Sequence, residues 1–365
     1  MSSMFGNKLK ISIFGESHGE SIGVVIDGLP SGIELDMDYI NKQMIRRSPG
    51  RNNLSTARKE SDNFNILSGF FEGKTTGTPL CATIQNQDKK SKDYSALKTT
   101  IRPGHSDYSG FVKYSGYNDY RGSGHFSGRI TAPLLFAGAI AMQILEMYKG
   151  IFIGTRIKTI YNVTDDKEIN PDQINKLKSM DFPVISDEKS ILMQQEILKA
   201  KENGDSVGGI TETLILNVPA GYGEPFFDSV ESKLSHMIFS IPAVKGIEFG
   251  EGFKIAEMKG SSANDPYYTK DGNILTKSNN NGGILGGITN GMPIVFRTAI
   301  KPTPSISKLQ NTIDISTMEN KTMQIEGRHD PCIVPRAVPI IDGAAALVIL
   351  DLIIEREGEI WNLMK

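Results

Sequence analysis

The chain is poor in cysteine, in histidine and in long apolar runs, and neither sign of charge predominates. Its two cysteines, Cys81 and Cys332, cannot build a disulfide framework. Forty Lys and Arg stand against 42 Asp and Glu, a net charge of -2, which excludes the broad basic footprint of a nucleic-acid binder. The opening MSSMFGNKLKISIFGESHG holds no apolar stretch long enough for a signal peptide, so a cytoplasmic protein is expected. The most apolar segment, Ala132 to Met147, falls short of the roughly 18 to 20 residues that cross a bilayer, so it reads as a buried core helix and no membrane partner is expected.

Glycine is what the chain has in excess: 37 in 365 residues, or about 10%, where roughly 7% is usual. At this length two domains, or one duplicated domain, are expected. An echo favours the second, because GESIGVVIDGLPSGI from Gly19 returns as GDSVGGITETLILNVPAGYGEP from Gly204, each copy followed by a helical pattern. One domain over 1–365 follows, with halves at roughly 1–185 and 186–365. Alternation predicts strands over Lys8–Phe14, Ile22–Ile26, Phe64–Phe71, Thr78–Ile84 and Gly209–Val218. Helices are expected over Asp36–Arg47, Thr131–Tyr148, Pro171–Met180, Asp187–Asn203 and, as an amphipathic helix, Ile340–Leu363.

Of the five histidines, four sit in loops: GESHG (His18), RPGHSD (His105), YRGSGHFSGR (His125) and EGRHDPC (His329). Each loop carries glycine for close backbone approach, and loops of this kind build sites. A lone loop histidine is more often a surface turn residue, but four in such settings reverse that balance. A neighbouring carboxylate, Glu16, Asp107 or Asp330, would hold an imidazole near neutrality for acid–base work. His236, on a helical pattern, reads as structural. Arginine gathers in or beside the same loops, at Arg46, Arg47, Arg51, Arg58, Arg102, Arg121, Arg129, Arg328 and Arg336. Its planar fork suits carboxylate and phosphate, so a local basic pocket for a polyanionic ligand is expected. NNNGGILGGITNG from Asn279 and KPTPS from Lys301 add flat glycine backbone and hydroxyls suited to a phosphate-bearing cofactor.

Several look-alikes fail. GESHG fits the G-x-S-x-G elbow, which would make Ser17 the nucleophile of a serine hydrolase, but an elbow joins a strand to a helix and here IGVVIDGLP resumes a strand. SGFFEGKTTG lacks the glycine a P-loop needs at Ser68. Gly122, Gly124 and Gly128 are spaced one residue too widely for a dinucleotide fingerprint. His329 and Cys332 have zinc-like spacing without a second nearby pair, so no metal is expected.

Taken in order, GESHGESIGVVIDGLP, RPGHSDYS, YRGSGHFSGR, GGILGGITNG, KPTPS and GRHDPCIVPRAVP resemble the chorismate synthase family over nearly the whole chain. The resemblance implies an α+β fold, a β-α-β sandwich with helices between two antiparallel four-stranded sheets, internal pseudo-duplication and a homotetramer. It implies conversion of 5-enolpyruvylshikimate 3-phosphate to chorismate by anti 1,4-elimination of phosphate and a ring proton. Reduced FMN is implied without net redox change, with NADPH as a possible source of reducing equivalents. By the same resemblance His18 would protonate or hold the reduced flavin, and His105 would give a proton to the departing phosphate. Asp330, Ser17 and Ser127 resemble the family's proton relay.

Cofactor contacts carried over by motif are His125, Phe126, Ser127, Ala243, Gly286, Lys301, Pro302, Thr303, Pro304, Ser305 and Arg328. Arg46, Arg47, Arg51, Arg129 and Arg336 would face substrate or nucleotide. The chain departs from the family where GSGHFSGRITAP replaces the commoner GGGRSSARETA, at Asn53 where arginine is frequent, and at Asp342 where glutamate is usual.

Overall fold

The computed structural model describes residues 3–50, 54–55, 61–87, 98–325 and 329–358. Strands β1 (Lys10–Gly15), β2 (Ser21–Asp27), β3 (Phe64–Ser68) and β4 (Leu80–Gln85) pair antiparallel in the order β1-β2-β4-β3. A second antiparallel sheet holds β5 (Phe152–Ile160), β6 (Gly209–Leu216), β7 (Val244–Phe249) and β8 (Ile294–Ile300) in the order β5-β6-β8-β7. Each sheet carries one further two-residue strand at its edge, Met4–Phe5 beside β1 and Val163–Thr164 beside β5.

Helix placement repeats as well. Helix α1 (Met37–Arg47) follows β2 and α2 (Thr131–Ile144) follows β4, as α3 (Val230–Phe239) follows β6 and α4 (Val334–Glu357) follows β8. The chain leaves the first sheet at the end of β4 and enters the second at β5, with α2 between them. Asp36 caps α1 as its sequence indicates, accepting from the Tyr39 amide at 2.9 Å.

Helix α2 packs on the first sheet, α4 on the second, and the two helices pack on each other. Both lie between sheets, which explains sequences apolar on every side. Every residue of α2 is buried, and α4 is buried from Ala337 to Ile354, so it is a central helix starting at Val334 instead of the amphipathic one expected from Ile340. The helical runs Gly128–Lys149 and Val334–Glu357 are long and apolar enough to cross a bilayer, unlike the shorter stretch read from the sequence. Their most apolar windows are 89% and 100% buried, so packing inside the sandwich accounts for them.

The two helices touch at Gly138 and Gly343. A Cβ added to Gly138 would lie 2.4 Å from the Gly343 Cα. Because that neighbour is backbone, Gly138→Ala is expected to cost at least the ~1–3 kcal/mol of an overpacked core. Gly343→Ala, whose Cβ would meet the Gly138 Cα at 3.1 Å, should cost less. Urea unfolding of both variants measures this, and an unchanged midpoint for Gly138→Ala would show that the helices separate freely.

Candidate active site

A cleft of about 950 Å³ opens where the N-terminal ends of α2 and α4 meet the C-terminal end of α1 and the loops around His105, Ser123, Ala243 and Lys301. Both helix N-termini turn the positive end of a dipole toward the cleft, which favours anions. Among the described residues its lining includes seven cationic side chains, Arg47, Arg102, Arg129, Arg336, Lys245, Lys301 and Lys321, and a single carboxylate, Asp330.

Three arginines form one wall. Arg47 ends α1 and donates to Asp62 through Nε at 2.9 Å and Nη2 at 2.7 Å. Arg129 donates to Asp62 Oδ1, which it shares with Arg47 Nη2, and, through Nε, to Asn86 at 3.1 Å. Arg336 pairs with Asp330 and donates from Nε to the Arg47 carbonyl at 3.0 Å. Burial works to raise the Asp62 pKa, but the two guanidinium groups outweigh it and hold the carboxyl below its usual range. One buried carboxylate therefore fixes two cations and leaves that pair with net positive charge.

Across the cleft, Arg102, Asp107, His105 and Ser123 close a ring. Arg102 grips Asp107 through Nε and Nη2, both at 2.7 Å, and Nη2 also donates to Ser123 Oγ at 3.0 Å. His105 Nδ1 lies 2.8 Å from Asp107, and its Nε2 lies 3.1 Å from Ser123 Oγ. Asp107 is kept ionised, well below the usual carboxylate range, by Arg102 and His105 against the cost of burial. An ionised acceptor beside Nδ1 places the imidazole proton there, against the 3.2 Å approach of Arg102 Nη2. Burial pushes the His105 pKa down, aided by Arg102 and Lys301 and opposed by Asp107.

The GESHG loop joins β1 to β2, two strands of one sheet, so the elbow geometry of a serine hydrolase is absent there. Ser17 and His18 are buried, and neither lines the cleft. A Cβ on Gly122, which does line it, would lie 2.1 Å from His18 Nδ1 and 3.0 Å from Ser17 Oγ. Both side chains thus support the cleft wall from behind. His125 lines the cleft and is anchored at both ring nitrogens, its Nδ1 2.8 Å from the Gly15 carbonyl and its Nε2 3.2 Å from Ser3 Oγ.

Of the residues expected at a site, the structure brings His105, Asp330, Arg47, Arg129 and Arg336 into the cleft. His125, Phe126, Ser127 and Ala243 line it too, as do Lys301, Thr303, Pro304 and Ser305. Ser127 also caps the next turn, accepting from the Arg129 amide at 3.3 Å. Arg46 does not reach the cleft, because it turns into the helix layer and pairs with buried Asp342 at 3.2 Å. Pro302 and Gly286 are outside as well, Gly286 exposed at a hairpin between Ile284–Leu285 and Ile288–Thr289. Arg51, Arg58, Asn53 and Arg328 lie outside the described residues.

Ser123, Lys245 and Lys321 are lining residues that the sequence reading passed over. The lysines sit on strands with no local mark, whereas Ser123 between two glycines carried one. Thr303 Oγ1 is buried without a hydrogen-bond partner among the described residues, a hydroxyl suited to an oxygen-rich ligand.

The family model for chorismate synthase matches residues 9–354. The chorismate synthase of Pyrococcus abyssi is 48% identical over 99% of both chains, and that of Thermococcus kodakarensis 46% identical over 97% of this chain and 98% of its own. The Methanocaldococcus jannaschii relative, also a chorismate synthase, is 46% identical over 96% of each. A crystal structure of chorismate synthase superposes with a TM-score of 0.76 at 29% identity, covering 97% of this chain and 94% of that one.

Proposed function

The chain belongs to the chorismate synthase family of carbon–oxygen lyases, and on that premise we propose that it converts 5-enolpyruvylshikimate 3-phosphate to chorismate by anti 1,4-elimination of phosphate and a ring proton. The observation that carries this reading is the cleft, in which, among the described residues, seven cations stand with one carboxylate beside a half-buried imidazole. Substrate and FMN together bring two phosphates and two carboxylates, a load that only clustered cations can bind. The cleft volume of about 950 Å³ stands near the top of the roughly 300–1,000 Å³ range of small-molecule sites, which suits two ligands at once.

Reduced FMN fits this chain's residues. Lys301, Ser305 and the unpartnered Thr303 hydroxyl would hold a phosphate, while Phe126, Ser127 and Ala243 border the same space. The chemistry reduced FMN would supply there is electron density for the substrate and a site for the ring proton, with no net redox change.

The arginine wall orients the substrate's anionic groups, and His105 gives a proton to the departing phosphate. Ser127 and Asp330 border the cleft as members of the relay. Ser17 and His18 act on it through the Gly122 turn. For His105 to serve as an acid it must be charged, and a bound phosphate dianion raises its pKa. The limb that reports His105 is therefore expected at higher pH in kcat than in kcat/KM. Coincident limbs would remove this coupling.

Anaerobic assay of phosphate and chorismate, with chemically reduced FMN in one arm and oxidised FMN plus NADPH in another, tests the activity. Turnover with pre-reduced FMN alone marks an enzyme dependent on an external reductase, and turnover in both arms marks one that reduces its own flavin. FMN binding without product in either arm would overturn the reading. The same reading makes the protein a cytoplasmic homotetramer, and sedimentation velocity tests its assembly.

A further inference from the structure

Both ring nitrogens of His105 are engaged: Nδ1 faces Asp107 at 2.8 Å and Nε2 faces Ser123 Oγ at 3.1 Å. An imidazole so enclosed meets a ligand only through what stands at Nε2. Ser123 lines the cleft, and its backbone is left-handed at φ 75, between Gly122 at φ 56 and Gly124 at φ 53. Backbone conformation alone would favour glycine there. The hydroxyl is what its contacts use.

We propose that Ser123 is the residue through which His105 exchanges its proton with an oxyanion in the cleft, an inference that rests on His105 as the acid of the elimination. Arg102 Nη2 donates to Ser123 Oγ at 3.0 Å and fills one lone pair. When His105 is charged, Nε2–H fills the second. The serine O–H then has no acceptor left on this side and turns to the ligand. In the transfer, the Nε2 proton passes to Oγ as the Oγ proton passes to a phosphate oxygen. Imidazolium becomes imidazole, and serine ends as it began. When His105 is neutral, the same O–H caps bare Nε2. The charged and titratable groups around the ring are Arg102 and Asp107 on its own segment and Lys301, whose Nζ donates to the neighbouring Gly104 carbonyl.

Ser123→Ala is expected to lower kcat by about 10²-fold, the lower end of a general acid's contribution, with KM for substrate within about threefold. FMN affinity by fluorescence titration should not change. Ser123→Gly, which relaxes the backbone and leaves room for a water, should recover part of the rate. Nitrogen-15 NMR of His105 gives a readout without turnover. Saturating inorganic phosphate should move the His105 titration midpoint upward in the parent protein, and Ser123→Ala should lose most of that movement. An equal movement in Ser123→Ala, or a kcat within about threefold of the parent, would overturn the proposal. Should the parent show no elimination at all, the function reading fails, while the phosphate titration still decides the relay.

Discussion

His105→Ala is expected to lower kcat by about 10²–10⁴-fold, the share a positioned general acid usually contributes, while FMN binding is largely kept. The imidazole is the one titratable ring in the Arg102–Asp107–His105–Ser123 circuit and its one net source of a proton near neutral pH, since Ser123 only hands on what His105 gives. Arg102 and Asp107 keep each other after the truncation, so the wall should stand. A flavin titration separates the two effects. Turnover equal to that of the parent would remove His105 from the mechanism, and a parallel loss of FMN binding would make it a structural group.

Asp62→Asn is expected to give the largest loss of stability, about 3–5 kcal/mol, the cost of breaking a buried ion pair by removing one partner. The Asp62 side chain is 1% exposed and serves Arg47 and Arg129, whose side chains are 2% and 5% exposed. Without it two guanidinium groups share one buried wall and no carboxylate between them. The carboxyl is held below its usual range when folded, so its contribution is fully present above the ordinary carboxylate pKa. It is lost as pH falls through the lowered one. Urea unfolding at neutral pH should show the whole difference between parent and variant, and at acid pH the gap should narrow. A variant as stable as the parent would show that the arginines find other partners.

Much of the fold was legible because its signals are local. The Asp36 cap and apolar spacing of α1, the alternation of β1 and β2, and the unbroken apolar run of α2 each depend on neighbours a few residues away. The start of α4 was missed because its first turn, with Pro335 and Arg336, lacks that pattern. The short edge strands were missed because two residues carry no period.

The sequence by itself marked the loops in which glycine, histidine and arginine cluster, since that clustering is read without reference to distance. Only the tertiary structure decided which of those side chains share a space. Arg46 and Arg47 are neighbours, yet successive helix residues point about 100° apart, so one pairs with Asp342 in the helix layer and the other with Asp62 at the cleft. His18 and His105 look alike in sequence, but Gly122 lies between the first and the ligand space while the second lines it. Lys245 and Lys321 join from strands distant in the chain. Caps and periods act over one or two turns, whereas a site is fixed by packing between elements hundreds of residues apart.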